Sequence, residues 1–354
     1  CKEKGLLKER LKLIDATHII ADVAIPNTTN FLRDGRKRIL KAIKKERKNL
    51  DESLKKYIPK DPSQRPTKED LVEELNLSKE LVKEVKGKYS SKVERMTDLL
   101  EKTTDPTGKR EIVSFVDPDA RFGRKTSKKK FVGYKAHVVE DESQIVTSVE
   151  TISGNENEGS KDNLESMLQK EDEKELKAEG TVCDALYDSL SNRLNIEKRE
   201  MKHYIPEKKK NKKLNNFIYS EKEDKLICQK GFSSIGKIQQ EDGYLYYFSS
   251  NFCRYCDKKK ECSCKGDRAR VYVSKDHLLY IKINSEERKK ALEKRKRIEA
   301  KFGEAKKHHA MARARYRGKW RVAIQVFMTF TVMNLKRMVK LLEIKENSVK
   351  LALS

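Results

Sequence analysis

The feature that most limits the fold is an apolar, β-branched run near the start of the chain, Leu11 to Ile20, followed by about a hundred residues before a comparable run returns. Its composition is that of a buried strand, and a single acid, Asp15, interrupts it, so this strand would carry one functional carboxylate. The character then changes. From Phe31 to Tyr57, and again from Thr67 to Thr104, Leu, Ile and Val recur at three- and four-residue spacing among Lys and Glu, which is helical periodicity. Pro59, Pro62 and Pro66 separate the two stretches. A first strand so far from its partners implies a core interrupted by an inserted, basic helical lobe.

Strand-like segments resume at Glu111–Val116, Phe131–Val139 and Ile145–Ile152, and the polar turn Glu140–Gln144 makes the last two an antiparallel hairpin. Ser160–Ala178 and Ser189–Lys198 read as helices, with short strands at Gly180–Cys183 and Lys202–Ile205. That alternation indicates an α/β core with a mixed sheet. Glu207–Lys213 is a basic linker into a second insertion, β-rich and Cys-containing, with strand-like pieces at Phe217–Cys228 and Tyr244–Phe248. Two helices close the chain, Ser285–Arg315 and Gly318–Ile344. At 354 residues the chain exceeds one ordinary compact core. The expected units are 1–30 (first core strand), 31–107 (helical insertion), 108–206 (core sheet and helices), 207–284 (β-rich insertion) and 285–354 (catalytic and packing helices).

Lys and Arg number 81 against 56 Asp and Glu, an excess of +25 spread along the whole chain. Such a balance favours a polyanionic partner, although a solvated Lys-rich surface gives the same count. No apolar run reaches the roughly 20 residues needed to cross a bilayer; Val322–Leu335 is broken by Gln325 and Asn334. Cys1–Arg10 has no signal-peptide character, and seven cysteines, an odd number, suit a reducing compartment, so a cytoplasmic protein is expected. A chain beginning with Cys also suggests a fragment with an upstream segment.

Three acids occupy positions that strand or helix would hold rigidly: Asp15, Asp184 after Gly180–Cys183, and Glu299 in the late helix. Phosphodiester chemistry uses such sets, because carboxylate oxygens bind the hard divalent cations that activate the attacking oxygen and stabilise the leaving one. A lone Asp at a strand end is more often a turn or cap. Asp188 is the rival to Asp184, and Asp119 and Asp141 are further rivals for metal binding.

The segments IDATHIIADVA (Ile14–Ala24), DPDARFGRK (Asp117–Lys125), FVGYKAHVVED (Phe131–Asp141) and VCDALYDS (Val182–Ser189) resemble, in order, successive blocks of bacterial insertion-sequence DDE transposases. The resemblance implies a ribonuclease H-like mixed sheet flanked by helices, with Asp15, Asp184 and Glu299 as catalytic residues holding Mg2+ or Mn2+, two ions in all. Members with a Tyr-Arg-Glu-Lys signature place Arg four residues before the Glu and Lys seven after it. Arg295, Glu299 and Lys306 fit that spacing, Gly303 lies on the same helical face, and Leu292 stands where the Tyr would be. The implied activity is DNA cleavage at transposon ends followed by strand transfer, by a homodimer on DNA, in the bacterial cytoplasm and nucleoid. The alternatives are a transposase-derived DNA-binding protein and a nuclease without strand transfer. No helix-turn-helix is evident, which assigns part of the recognition of terminal inverted repeats to an upstream region.

Arg295, Lys306, Arg121, Arg124 and Lys135 are the candidate DNA contacts, Arg121 and Arg124 from a basic stretch that runs to Lys130. His137 reads as a structural hydrogen-bonding histidine, and Trp320 as core packing. Cys253, Cys256, Cys262 and Cys264 form a CxxC followed by a CxC, a candidate structural Zn2+ site, with Cys228 or His277 as substitute ligands.

Overall fold

This computed structural model describes residues 1–59, 66–104, 111–125, 128–208, 214, 217–262 and 269–353. The early apolar run is one strand, β1 (Leu11–Ile20), buried along almost its whole length. After it come helices α1 (Thr28–Arg47), α2 (Glu52–Lys55), α3 (Lys68–Val85) and α4 (Ser91–Thr103). Asn27 caps α1, and a reciprocal Thr67–Asp70 box starts α3, so two of the helix starts are fixed by side chains that satisfy otherwise orphaned backbone donors. The four helices enclose their own apolar core, with Leu32, Ile39, Ile43, Leu81, Val85 and Leu100 at its centre. A buried ion network, Arg33 and Arg36 on Glu74, ties α1 to α3.

The chain then returns to β1. Strands β2 (Arg121–Arg124), β3 (Lys130–Asp141) and β4 (Val146–Ser153) are followed by helix α5 (Lys161–Glu173), strand β5 (Gly180–Val182), helix α6 (Leu190–Glu197) and strand β6 (Lys202–Tyr204). They form a six-stranded sheet in which β2, β3, β1, β5 and β6 are consecutive neighbours and β4 also pairs with β3. The β1–β3 and β3–β4 pairs are antiparallel, whereas β5 runs parallel to β1 and β6 parallel to β5. This mixed α/β arrangement is compatible with a ribonuclease H-like fold. Gly133 permits the closest approach: its φ is +151°, and a Cβ there would lie 2.0 Å from the Ile19 carbonyl oxygen.

Short strands β7 (Ile218–Ser220), β8 (Lys225–Ile227), β9 (Gly236–Gln240) and β10 (Gly243–Tyr247) follow, then helix α7 (Ser250–Arg254), strand β11 (Arg270–Ser274) and helix α8 (Lys275–Lys282). This β-rich lobe has a separate core that includes Phe217, Leu226, Tyr246, Phe248, Val271 and Val273. Fully buried Arg193 on α6 fastens the lobe to the main sheet, donating to Asp276 on α8 at 2.9 Å and to Asp188 at 2.5 Å. Helices α9 (Ser285–Glu293), α10 (Lys296–His308) and α11 (Lys319–Leu353) complete the chain. Asn334 of α11 bonds both backbone groups of Val146, which docks α11 on β4. Among the described residues no helix is long and apolar enough to cross a membrane.

Several expected elements take another form. Glu111–Val116 is irregular rather than a strand, although Ile112 and Val113 are buried. Arg121–Arg124 is a strand because β3 offers it an edge. The late helix is broken at Lys294–Arg295 and ends at His308, after which Ile20 bonds the Ala312 carbonyl and Ala314 bonds back to Ile20. Trp320 is 64% exposed rather than packed in the core.

Candidate active site

The parallel register of the central strands sets the site. Leu13 on β1 lies opposite Val182 on β5, so Asp15 and Asp184, each two residues further along, reach the same level on the same face. Leu13 and Val182 pack there with Ile298, Phe302 and Ala305 of α10, and that packing lays α10 across the strands with Glu299 beside the two aspartates.

The three carboxylates meet at one guanidinium. Arg295 Nη2 lies 3.3 Å from Asp15 Oδ2, 3.9 Å from Asp184 Oδ2 and 3.5 Å from Glu299 Oε1. The helix break positions this side chain: Arg295 precedes α10 and its own N–H bonds back to Leu292, so the guanidinium sits at the end of the carboxylate cluster. Asp15 Oδ1 accepts from the Ala16 N–H at 2.8 Å and Asp184 Oδ1 from the Leu186 N–H at 2.7 Å, which leaves the second oxygen of each toward Arg295. Burial raises the Asp15 carboxyl to about 6, against the opposing charge of Arg295. Burial works against the Arg295 charge, but the carboxylates of Asp15 and Asp184 outweigh it and hold its pKa above the ordinary value. The donor set is all oxygen, the kind that hard divalent cations take. Among the described residues no three His, Cys, Asp or Glu side chains are grouped so that they could hold a metal ion.

The rival acids are engaged elsewhere. Asp188 accepts from Arg193 and from the Lys208 N–H, Asp119 from the Lys319 N–H, and Asp141 from the backbone of Lys8, Glu9 and Ser143. Further along α10, Lys306 Nζ lies 3.3 Å from His18 Nδ1, with the Phe131 ring 5.3 Å from the imidazole. Burial lowers the Lys306 ammonium to about 8, with Lys125 adding to the effect; burial, Lys306 and Lys125 together push His18 down to about 4. Sequence reasoning missed His18, whose only signal was its place three residues after Asp15. Arg124 is exposed at the end of β2. Arg121 donates to the carbonyls of Pro118 and Ala120, and Lys135 is held in an ion pair with Glu158 at 2.5 Å that would have to open before it met DNA. His137 is fully buried, its Nε2 2.9 Å from the Tyr187 hydroxyl, and burial lowers it to about 4. Cys253, Cys256 and Cys262 gather on one small hollow with Cys228, whereas Cys264 lies outside the described residues.

Residues 227–339 match the family model described as a transposase DDE domain. That match supports a transposase. It contains Arg295, Glu299 and Lys306, while Asp15 and Asp184 lie outside it. No curated protein and no solved structure matches the chain.

Proposed function

We propose that the chain is a DNA transposase of bacterial insertion-sequence type that cleaves transposon ends and joins the freed 3′ hydroxyl to target DNA, with Asp15, Asp184 and Glu299 as its metal-holding triad. The observation that carries this reading is the convergence of those carboxylates, distant in sequence, on the single guanidinium of Arg295. Charge of both signs in one partly buried cluster is costly unless paired, and function is the usual reason to keep it. Two Mg2+ or Mn2+ ions held by these oxygens would activate the attacking oxygen and stabilise the leaving one. The chain's own part is to fix the three carboxylates on a strand, a strand end and a helix, and to set Arg295 and Lys306 beside them to neutralise phosphates. In the same reading the helical lobe of 31–107 and the β-rich lobe of 207–284 are insertions into the catalytic core. The active form on DNA is a homodimer bound to paired transposon ends.

The test is nicking and strand transfer with Mg2+ or Mn2+ on DNA carrying the element's own ends, comparing wild type with Asp184→Ala and Glu299→Ala. Both substitutions are expected to lower cleavage by at least about a thousandfold while leaving end binding within about tenfold. Full cleavage by either variant would remove that residue from the triad. Cleavage without joining by the wild type would identify a nuclease instead.

A further inference from the structure

Helix α11 is apolar on two sides. Val322, Val326, Phe330 and Met333 are buried in the core that also holds Ile298, Phe302 and Ala305 of α10, and Asn334 fastens the helix to β4. On the opposite side Trp320, Ile324, Phe327 and Met328, then Val332, Leu335 and Val339, are between 39% and 64% exposed. At about 3.6 residues per turn these positions fall in one stripe, turned away from the buried set. Taking roughly 150–250 Å2 for a whole large side chain, the stripe exposes on the order of 700 Å2 of apolar surface. The largest apolar patch on a typical monomer is roughly 300–600 Å2, and a standard interface takes about 800 Å2 from each partner. Beside the stripe, a groove of about 320 Å3 lined by Phe327, Thr331, Val146 and Val149 extends this face toward β4.

Charge along the helix selects the partner. From Val322 to Leu335 α11 carries no charged residue, whereas Lys319 and Arg321 precede that stretch and Lys336, Arg337 and Lys340 follow it. The cations oppose a basic partner laid along the helix, and the neutral stretch offers an acidic one nothing to pair with at the centre. A second copy of the chain crossing at the middle of the stretch sets neutral against neutral. We infer that α11 is the self-association face of this protein, two copies meeting by their exposed stripes about a two-fold axis near Met328. The commonest class of helix packing crosses at about 50°, so the like-charged ends splay apart into solvent. Each copy then uses the same patch, as a closed two-fold contact requires. This gives the homodimer of the functional reading a surface; its use on paired DNA ends rests on that reading, whereas its formation needs no DNA. Because α11 shares its core with α10, the pairing holds two carboxylate clusters in a fixed relation.

The test takes the full chain without DNA, in about 0.5 M salt to screen long-range charge, and reads its mass by sedimentation velocity. Expected at about 10 μM is twice the chain mass of 41.2 kDa. Phe327→Glu and Met328→Glu each place a charge at the centre of the contact and should weaken association at least about a hundredfold, with the circular dichroism of wild type. Ile238→Glu, similarly exposed on β9 of the other lobe, should remain a dimer. Met328→Cys should give a disulfide-linked dimer above the background of the native cysteines, because the same residue of both copies lies at the axis. Asp184→Ala should sediment as wild type, so failure of the catalytic reading and failure of this interface are separate results. Wild type that stays monomeric at about 100 μM would overturn the interface, and flotation of that monomer with phosphatidylcholine vesicles would assign the stripe to a bilayer surface instead. A dimer that neither glutamate variant weakens would place the contact elsewhere and overturn it equally.

Discussion

A buried acid without a hydrogen bond shows how strictly the sheet constrains single residues. Glu140 on β3 is fully buried, and neither of its side-chain oxygens has a hydrogen-bond partner. Burial raises its carboxyl to about 7, although the charges of Lys301 and Arg297 pull the other way. The folded protein therefore holds this proton more tightly than the unfolded chain, whose carboxyl titrates near 4.5. The associated stability is complete below about 4.5 and is lost as pH rises through about 7. Glu140→Gln keeps the shape and removes the titration, so at pH 8 it should be more stable than wild type by about 3 kcal/mol, a gap that closes toward pH 4. Denaturant unfolding at the two pH values measures it, and a gap independent of pH would show that Glu140 is not buried as described. At this scale the sequence picked out the three carboxylates that Arg295 gathers, Asp15 and Asp184 because one interrupts and the other ends an apolar strand, and Glu299 through its spacing from Arg295 and Lys306. It gave no sign that Arg193 in α6 would be fully buried against Asp188, five residues before it.

At the scale of elements, β1 was legible because ten residues of apolar, β-branched composition leave few alternatives, and β3 and β4 because a polar turn divides two such runs. Charged β2 was not, since its pairing with β3 rather than its composition makes it a strand. Nor was the break before α10, which has neither Gly nor Pro to announce it and is made by i to i+3 bonds from Arg295 and Arg297. The one glycine of α10 is informative in another way. Gly303 is exposed, and a Cβ added there would meet nothing within 4 Å, so no packing demands it. Glycine inside a helix costs about 0.5–1 kcal/mol relative to alanine. Gly303→Ala should thus raise stability by that amount while weakening binding to transposon-end DNA, if the α10 backbone approaches the phosphates as the catalytic reading requires. Thermal unfolding and end-binding titrations together decide it: a gain in stability with unchanged DNA affinity would place this stretch of α10 outside the groove.

For the whole molecule, an excess of 25 positive charges is a statement about partners more than about fold, since the described cationic side chains divide between internal pairs and open surface. Arg193, Arg36 and Lys135 are buried or held by carboxylates, so they add nothing to an external field that a polyanion would feel at close range. Arg124 is exposed, and Lys306 lies beside His18 with burial and Lys125 depressing its pKa, the behaviour of an ammonium that lacks a counter-ion and would gain one from a phosphate. If about six such cations meet phosphates, counter-ion release predicts that end-DNA affinity falls about a thousandfold between 50 and 200 mM salt. Lys306→Ala should weaken binding to all sequences alike and reduce the slope of log K against log salt by about one. Asp184→Ala, which removes no cation, should leave that slope unchanged. A salt-independent affinity would mean that the positive charge is only a solvated coat, and that the carboxylate cluster needs a different substrate from DNA.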